Sequence, residues 1–434
     1  MAILHRSMPF AAALLAASVS WPAVSAAADF DWRAHEGETV NFLANNNPWS
    51  TTLLKYQGDF EKLTGIKLRV DSYQEQQMRQ RLTTVLNAHS DEVDVFMTLP
   101  SREGMQYAAA GWYKDLKPYT EQTVSPDYKF GDLSKALVEA AVFDGALTGI
   151  PLNIEGPILY YRTDIFEKCG VPKPEKISDL QTAAKKIKEC DSSTTPFASR
   201  GLKPALAYTF SNFLHNMGGS YLKDGKSAFC TPEGKAALTT YAGLLRDYGP
   251  PGVVNYSFYQ LTSLYRAGRS AMSFQSSNEF PGVMEGGARL KDTALMPLPA
   301  GDGGSHPTTI GWALSVSAYS AHPDAAWYFV QWATSPEMQA RLAMEGIAPP
   351  RASVRDNADY KAWLAEEPLR QSWQDTLQVL ADQGTSEVGV PIIRNPESRE
   401  YIGQAVNTLL LGTGTVDEAC AAADQALNGL SAQK

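Results

Sequence analysis

From Asp29 onward, short apolar runs of strand period alternate with longer stretches whose apolar residues recur at helical spacing. "ETVNFLA" (38–44) reads as a strand. Ser50 to Leu63 carries Leu53, Tyr56, Phe60 and Leu63 on one helical stripe. "IKLRV" (66–70), a helix from Gln74 to Ala88, and "VDVFM" (93–97) continue the alternation, and "MQYAAAGWYKDL" reads as a helix stopped at Gly111. Strand, helix, strand, helix, strand predicts a parallel, doubly wound α/β sheet. Sheets of this kind bind ligands at the carboxyl ends of their strands. Here those ends carry "NNNPWS" (45–50), "DSYQEQ" (71–76) and "TLPSRE" (98–103), rich in amides and hydroxyls but not in glycine.

The alternation breaks at "GALTGIPLNIEGPILYYRTDIF" (145–166), a crossing into a second domain. That domain is expected to hold helices at 163–169, 178–189, 205–217 and 232–247, the last behind Thr231–Pro232. "RAGRSAMSFQSS" (266–277) reads as a strand and loop. A second crossing falls at "TALMPLPAGDGGSHPTTIGWALSVS" (293–317) and a third at "APPRASV" (348–354), with helices to the end. Three crossings make both lobes discontinuous. The expected division is 29–149 with 300–347 for the N-terminal lobe and 150–299 with 348–434 for the C-terminal lobe. The crossings are placed near 150–156, 294–300 and 347–352.

A chain of 434 residues with 44% hydrophobic and 20% charged residues suits two globular domains. The net charge of −9, with no basic run, argues against a nucleic-acid partner. Residues 1–28 read as a signal peptide: His5 and Arg6, the apolar "PFAAALLAASV", then small residues around Ala26 to Ala28. Trp21–Pro22 interrupts the run before the roughly 20 apolar residues that a membrane span needs. The first cysteine is Cys169, far from the cleavage region, so a soluble periplasmic protein rather than a lipoprotein is expected. Four cysteines in an exported chain allow three disulfide pairings. Cys169 and Cys190 close successive helices and are the favoured pair; four buried thiols are the alternative. With no CxxC spacing and six scattered histidines, neither a metal nor a cofactor is expected.

Catalytic motifs are sparse. "GGSYLKDGKSA" (218–228) misses the phosphate-loop spacing by one residue and has no strand before it. Neither GxSxG nor HExxH occurs, and no carboxylate pair stands out as a glycosidase pair. Trp49, Tyr73 and Trp312 fall near strand ends, where aromatic faces could pack the C–H faces of a sugar. Trp327, Trp332 and Trp363 lie within helices and are assigned to packing. Tyr160 and Tyr161 suggest a ferric site, but neighbours in a strand point to opposite faces, so at most one can face a ligand.

Several blocks resemble the extracellular solute-binding proteins of bacterial ABC carbohydrate importers, the maltose-binding-protein-like group. They are "LYYRTDIFEKCGVPKPEKISDLQTAAKKI", "YRAGRSAM", "MPLPAGDGGSHPTTIGWALSVSAYSAHPDAAWYFVQWATSPEMQARL" and "GVPIIRNPESREYIGQAVNTLLLGTGTVDEACAAADQAL". With "LTGIKLRV" and "DEVDVFM" the similarity covers nearly all of the mature chain. The resemblance implies two α/β lobes joined by a multi-strand hinge and closing on a sugar, with no reaction. It also implies a monomer that delivers its cargo to a membrane permease driven by cytoplasmic ATPase subunits. Ligand contacts are then expected from Asn47, Trp49, Tyr73, Glu75, Thr98 and Ser101 in the first lobe, and from Asn153 and Glu155 in the hinge. Trp312 and Arg351 follow from the later crossings, and Arg394 is a weaker candidate. After "RSAM" the family places a sugar-stacking aromatic. Here "SFQSSNEFPG" puts Ser and Asn first, and Phe280, still counted among the ligand contacts, comes later. A small ligand, a mono- or disaccharide or a polyol, is therefore expected over a long oligosaccharide. A polyamine, drawn by Glu75, Glu155 and Glu279, a ferric ion and an exported glycosidase remain the alternatives.

Overall fold

The computed structural model describes residues 30–285 and 291–432; the leader expected over 1–28 lies outside them. Among the described residues nine strands build the two larger sheets. β1 (Thr39–Asn45), β2 (Lys67–Tyr73), β3 (Val95–Thr98), β4 (Ile150–Pro151) and β9 (Ala313–Val316) form the first, in the order β2-β1-β3-β9-β4. β1 runs parallel to both β2 and β3, whereas β9 is antiparallel to β3 and to β4. β5 (Pro157–Arg162), β6 (Thr195–Ala198), β7 (Ser270–Ser276) and β8 (Thr293–Pro297) form the second, in the order β8-β5-β7-β6.

β3, β5, β7 and β9 are buried along their whole length, because helices cover both faces of each sheet. The helical stripe from Ser50 is two helices, Pro48–Leu54 and Gln57–Thr64, interrupted at Lys55–Tyr56. The second of these stops at Gly65, whose φ of 72° is the left-handed conformation glycine adopts without steric cost. Tyr160 and Tyr161 sit in separate cores on the two faces of β5; the Tyr160 hydroxyl donates to the Ser276 carbonyl at 3.1 Å. No shared tyrosinate pair forms.

The crossing segments hydrogen-bond to one another. Leu152 N donates to Trp312 O at 2.8 Å, Ile154 N to Ala348 O at 3.1 Å, and Glu155 N to Ile310 O at 2.8 Å. Three strands of chain thus meet in one seam between the sheets, and this seam carries Asn153 and Glu155.

Both disulfides lie beside the second sheet: Cys169–Cys190 (Cα–Cα 5.6 Å) and Cys230–Cys420 (Cα–Cα 5.3 Å). Cys169 caps the helix Thr163–Lys168 and Cys190 ends Ile177–Cys190. Replacing Cys169 and Cys190 together with serine is expected to cost about 3 kcal/mol, the scale for freeing a short closed loop. Urea unfolding measures the loss, and an unchanged midpoint would contradict it.

Candidate functional site

The chain turns sharply where β1 ends. Asn46 N donates to Tyr73 O at 2.7 Å, and Asn47 caps the helix Pro48–Leu54 by accepting from Ser50 N at 3.1 Å. This turn presents Asn45 and Asn47 to a narrow cavity between the two sheets, about 30 Å³ in volume. Glu75, the first residue of the helix Glu75–Asn87, joins them from the end of β2. Glu155 and Trp312 enter from the crossing segments. The second sheet contributes Arg200, just past β6, and Ser276, Asn278 and Glu279 at the end of β7. Tyr208, Phe258 and Arg399 complete that side from helices.

The charges are arranged in two groups. The Glu75 carboxylate takes Arg79 and Arg102, both at 3.2 Å, while Arg79 also pairs with Glu103. Burial pushes the Glu75 carboxyl up, but Arg79 and Arg102 outweigh it and hold the pKa at about 2. Arg102 is lowered to about 10, first by burial and then by the adjacent Arg79 charge. Arg399 falls to about 9, again by burial first and then by Arg102 and Arg79. The second group is short of counter-charge. Burial raises Glu155 and Glu279 from 4.5 to about 7 each, against the pull of Arg200.

Hydrogen bonds fix these groups in place. Asn153 Nδ2 donates to Glu155 Oε2 and to Asn278 Oδ1, both at 3.2 Å, and Asn153 Oδ1 accepts from Trp312 N at 3.0 Å. Thr262 donates to Glu279 Oε2 at 2.8 Å. The Arg200 guanidinium stacks 4.5 Å from the Tyr208 ring centroid and 5.6 Å from that of Phe258; Arg79 lies 5.0 Å over Trp312. Arg200 Nε and Arg399 Nη1 are buried without a hydrogen-bond partner. Both side chains line the cavity, so a bound ligand can supply the missing acceptors.

Of the contacts expected from sequence, Asn47, Glu75, Glu155 and Trp312 line the cavity, and Asn153 braces it from behind. The others lie elsewhere. Trp49 is fully buried in the first core, because the capped helix turns its indole inward. Tyr73 is exposed at the end of β2 and does not line the cavity. Thr98 is buried in β3, bonded to the Tyr113 hydroxyl at 2.8 Å. Ser101 faces a separate cavity with Ile154 and Gly311. Phe280 is fully buried and stacks at 4.7 Å on Trp373. Arg351 is fully buried, donating to Thr334 O and Lys129 O with its guanidinium 4.8 Å from Tyr128, which makes it a brace between chain segments. Arg394 pairs with Glu397 at the start of the helix Asn395–Leu410. The sequence reading passed over Asn45, Arg200, Tyr208, Phe258 and Arg399. Arg200 could have been found by applying the strand-end rule to the second sheet.

Among the described residues no group of three or more His, Cys, Asp and Glu is placed to hold a metal ion. No helix among them is long and apolar enough to cross a membrane.

Two α/β lobes enclosing a small polar cavity at their seam define a solute-binding protein of the two-lobed kind. Residues 44–340 match the family described as bacterial extracellular solute-binding protein, and the chain belongs to that family. It is similar to a mannitol-binding protein of Pseudomonas aeruginosa, with 27% identity over 90% of this chain and 93% of that one. An erythritol/L-threitol-binding protein of Mycolicibacterium smegmatis is 25% identical over 75% of this chain and 73% of its own length. The fold is that of an ABC transporter solute-binding protein from Agrobacterium radiobacter K84 solved with ribitol. There the TM-score is 0.81 and the identity 24%, over 91% of this chain and 99% of that one.

Proposed function

We propose that the chain is the periplasmic substrate-binding component of an ABC importer and that its ligand is a short polyol. The observation that carries this reading is the cavity lining: three carboxylates and two guanidiniums, with aromatic rings between them. Every hydroxyl of a polyol both donates and accepts. Carboxylates take the donated protons and guanidiniums donate to the oxygens, so a hydroxylated chain satisfies both sets at once. Tyr208, Phe258 and Trp312 cover its C–H faces. The mannitol, erythritol and ribitol named for the relatives fit this chemistry.

The lobes, 29–149 with 300–347 and 150–299 with 348–434, close by rotation about the crossing seam. Ligand contacts from both sides favour the closed state. The closed monomer then docks on a membrane permease powered by cytoplasmic ATPase subunits. It reaches the periplasm behind a cleaved leader over 1–28, needs no cofactor, and releases its ligand chemically unchanged. A polyamine is the second reading, favoured by the three carboxylates; Arg200 and Arg399 in the same lining oppose a cation.

Titration calorimetry against mannitol, ribitol, erythritol, glucose, maltose, maltotetraose and spermidine separates these readings. A polyol is expected to bind tightest and to raise the melting temperature, since it binds only the folded chain. Tightest binding of maltotetraose or spermidine overturns the proposal. An aryl glycoside is expected to pass through uncleaved.

A further inference from the structure

The cleft contains two spaces. Beside the narrow cavity lies an open groove of about 640 Å³, and Asn47, Phe258 and Glu279 line both. The groove runs between the helix Pro48–Leu54 on the first lobe and the helices Phe258–Arg266 and Ala358–Ala365 on the second. Its second-lobe wall offers Trp363, with the Arg370 guanidinium 4.4 Å from its ring, and its first-lobe wall the Lys55–Glu345 ion pair. An aromatic face flanked by charged donors and acceptors suits a sugar ring.

Tyr259 stands where the two spaces meet. Its side chain lines the groove and not the cavity. Its hydroxyl nevertheless accepts from Glu75 N at 3.1 Å and donates to Asn45 Oδ1 at 3.4 Å, and both of those residues line the cavity. The ring packs 3.8 Å from Phe258, which lines both spaces. The phenol therefore reaches from a helix of the second lobe to two strand ends of the first.

We propose that Tyr259 sets the length of the ligand: its ring is a partition that closes the polyol site off from the groove, and without it the groove accepts a sugar ring attached to the polyol. The inference rests on the polyol reading and names the ligand class that reading excludes, the glycosyl-polyols. The partition also explains how an open groove can adjoin a selective site. A ligand too long for the cavity must displace the phenol and break both of its bonds across the cleft, so discrimination comes from a penalty on the wrong ligand.

The test compares sorbitol with maltitol, a glucosyl-sorbitol, on wild type, Tyr259→Phe, Tyr259→Ala and Tyr259→Ser by calorimetry, with folding checked by circular dichroism. Wild type is expected to prefer the free hexitol. Tyr259→Phe keeps the ring, so it should keep that preference while weakening both ligands by about three- to tenfold through the lost cross-cleft hydrogen bonds. Tyr259→Ala and Tyr259→Ser should each cut the preference at least about tenfold. A merely structural role would weaken both ligands together. An unchanged sorbitol-to-maltitol ratio in the small variants overturns the inference, as does equal binding of the two ligands by wild type. If wild type binds sorbitol and only the variants misbehave, the polyol reading survives alone. If wild type binds neither sorbitol nor any polyol of the panel above, that reading fails and takes this one with it.

Discussion

Glu75→Ala is expected to lower the unfolding free energy by about 3–5 kcal/mol at pH 7, the usual cost of stripping one partner from a buried charge cluster. Arg102 loses its ion-pair partner, Arg79 keeps only Glu103, and Arg399, already crowded by both, loses the Glu75 charge that offsets them. The pH dependence gives the effect a signature. Glu75 has a pKa of about 2 in the folded chain against 4.5 unfolded, so its stabilisation is complete above about pH 4.5 and fades as pH falls toward 2. Urea unfolding at a series of pH values should show wild type and variant converging in acid. A loss under about 1 kcal/mol, or one indifferent to pH, would show that the arginines find other partners.

Glu155→Gln should do the reverse. A carboxyl lifted from 4.5 to about 7 costs the folded state about 3 kcal/mol once ionised. Between those values the folded chain binds more protons than the unfolded one, so stability falls as pH rises. Glutamine cannot ionise, and its oxygen can still accept from Asn153. The ligand-free variant should therefore match wild type near pH 4.5 and exceed it by up to about 3 kcal/mol at pH 8. It should also bind polyol at least about tenfold more weakly, because a neutral amide is the poorer acceptor for hydroxyl protons. Glu279 has the same shift from the same cause and should behave alike. A difference between variant and wild type that does not grow with pH would sink this account. Two unpaired carboxylates in a binding cavity trade stability for recognition.

The first lobe was readable because its strands alternate with helices in simple order, so the strand-end rule led directly to Asn47 and Glu75. Glu155 and Trp312 followed from the crossing segments. What sequence could not supply was helix rotation and long-range partnership. Trp49 and Asn47 are two residues apart, yet one caps the helix and the other turns into the core. Phe280 counts among the ligand contacts by its place in the sequence, but Trp373, some ninety positions later, takes its ring. Arg351 reads as a free cation in a crossing loop until the carbonyls of Lys129 and Thr334 are brought to it. Tyr208 is hidden within a helix, Ala207–Asn216, that is buried on every side, so no amphipathic pattern marks its cavity-facing edge. Arg399 arrives from the last third of the chain.

The position of β9 bears on how the chain is made and moved. This strand sits between β3 and β4 in the first sheet, yet it lies more than two hundred residues after β3 in the sequence. The first lobe cannot finish its sheet until Val316 is present, and the chain between β4 and β9 must loop out meanwhile. The second sheet's helical cover, including Asn395–Leu410, arrives later still. Pairing at such separations is slow because loop closure precedes any compensating contact. A nascent chain of this topology is expected to complete its first sheet only late in synthesis, and until then it keeps a form that can be threaded through a narrow membrane channel.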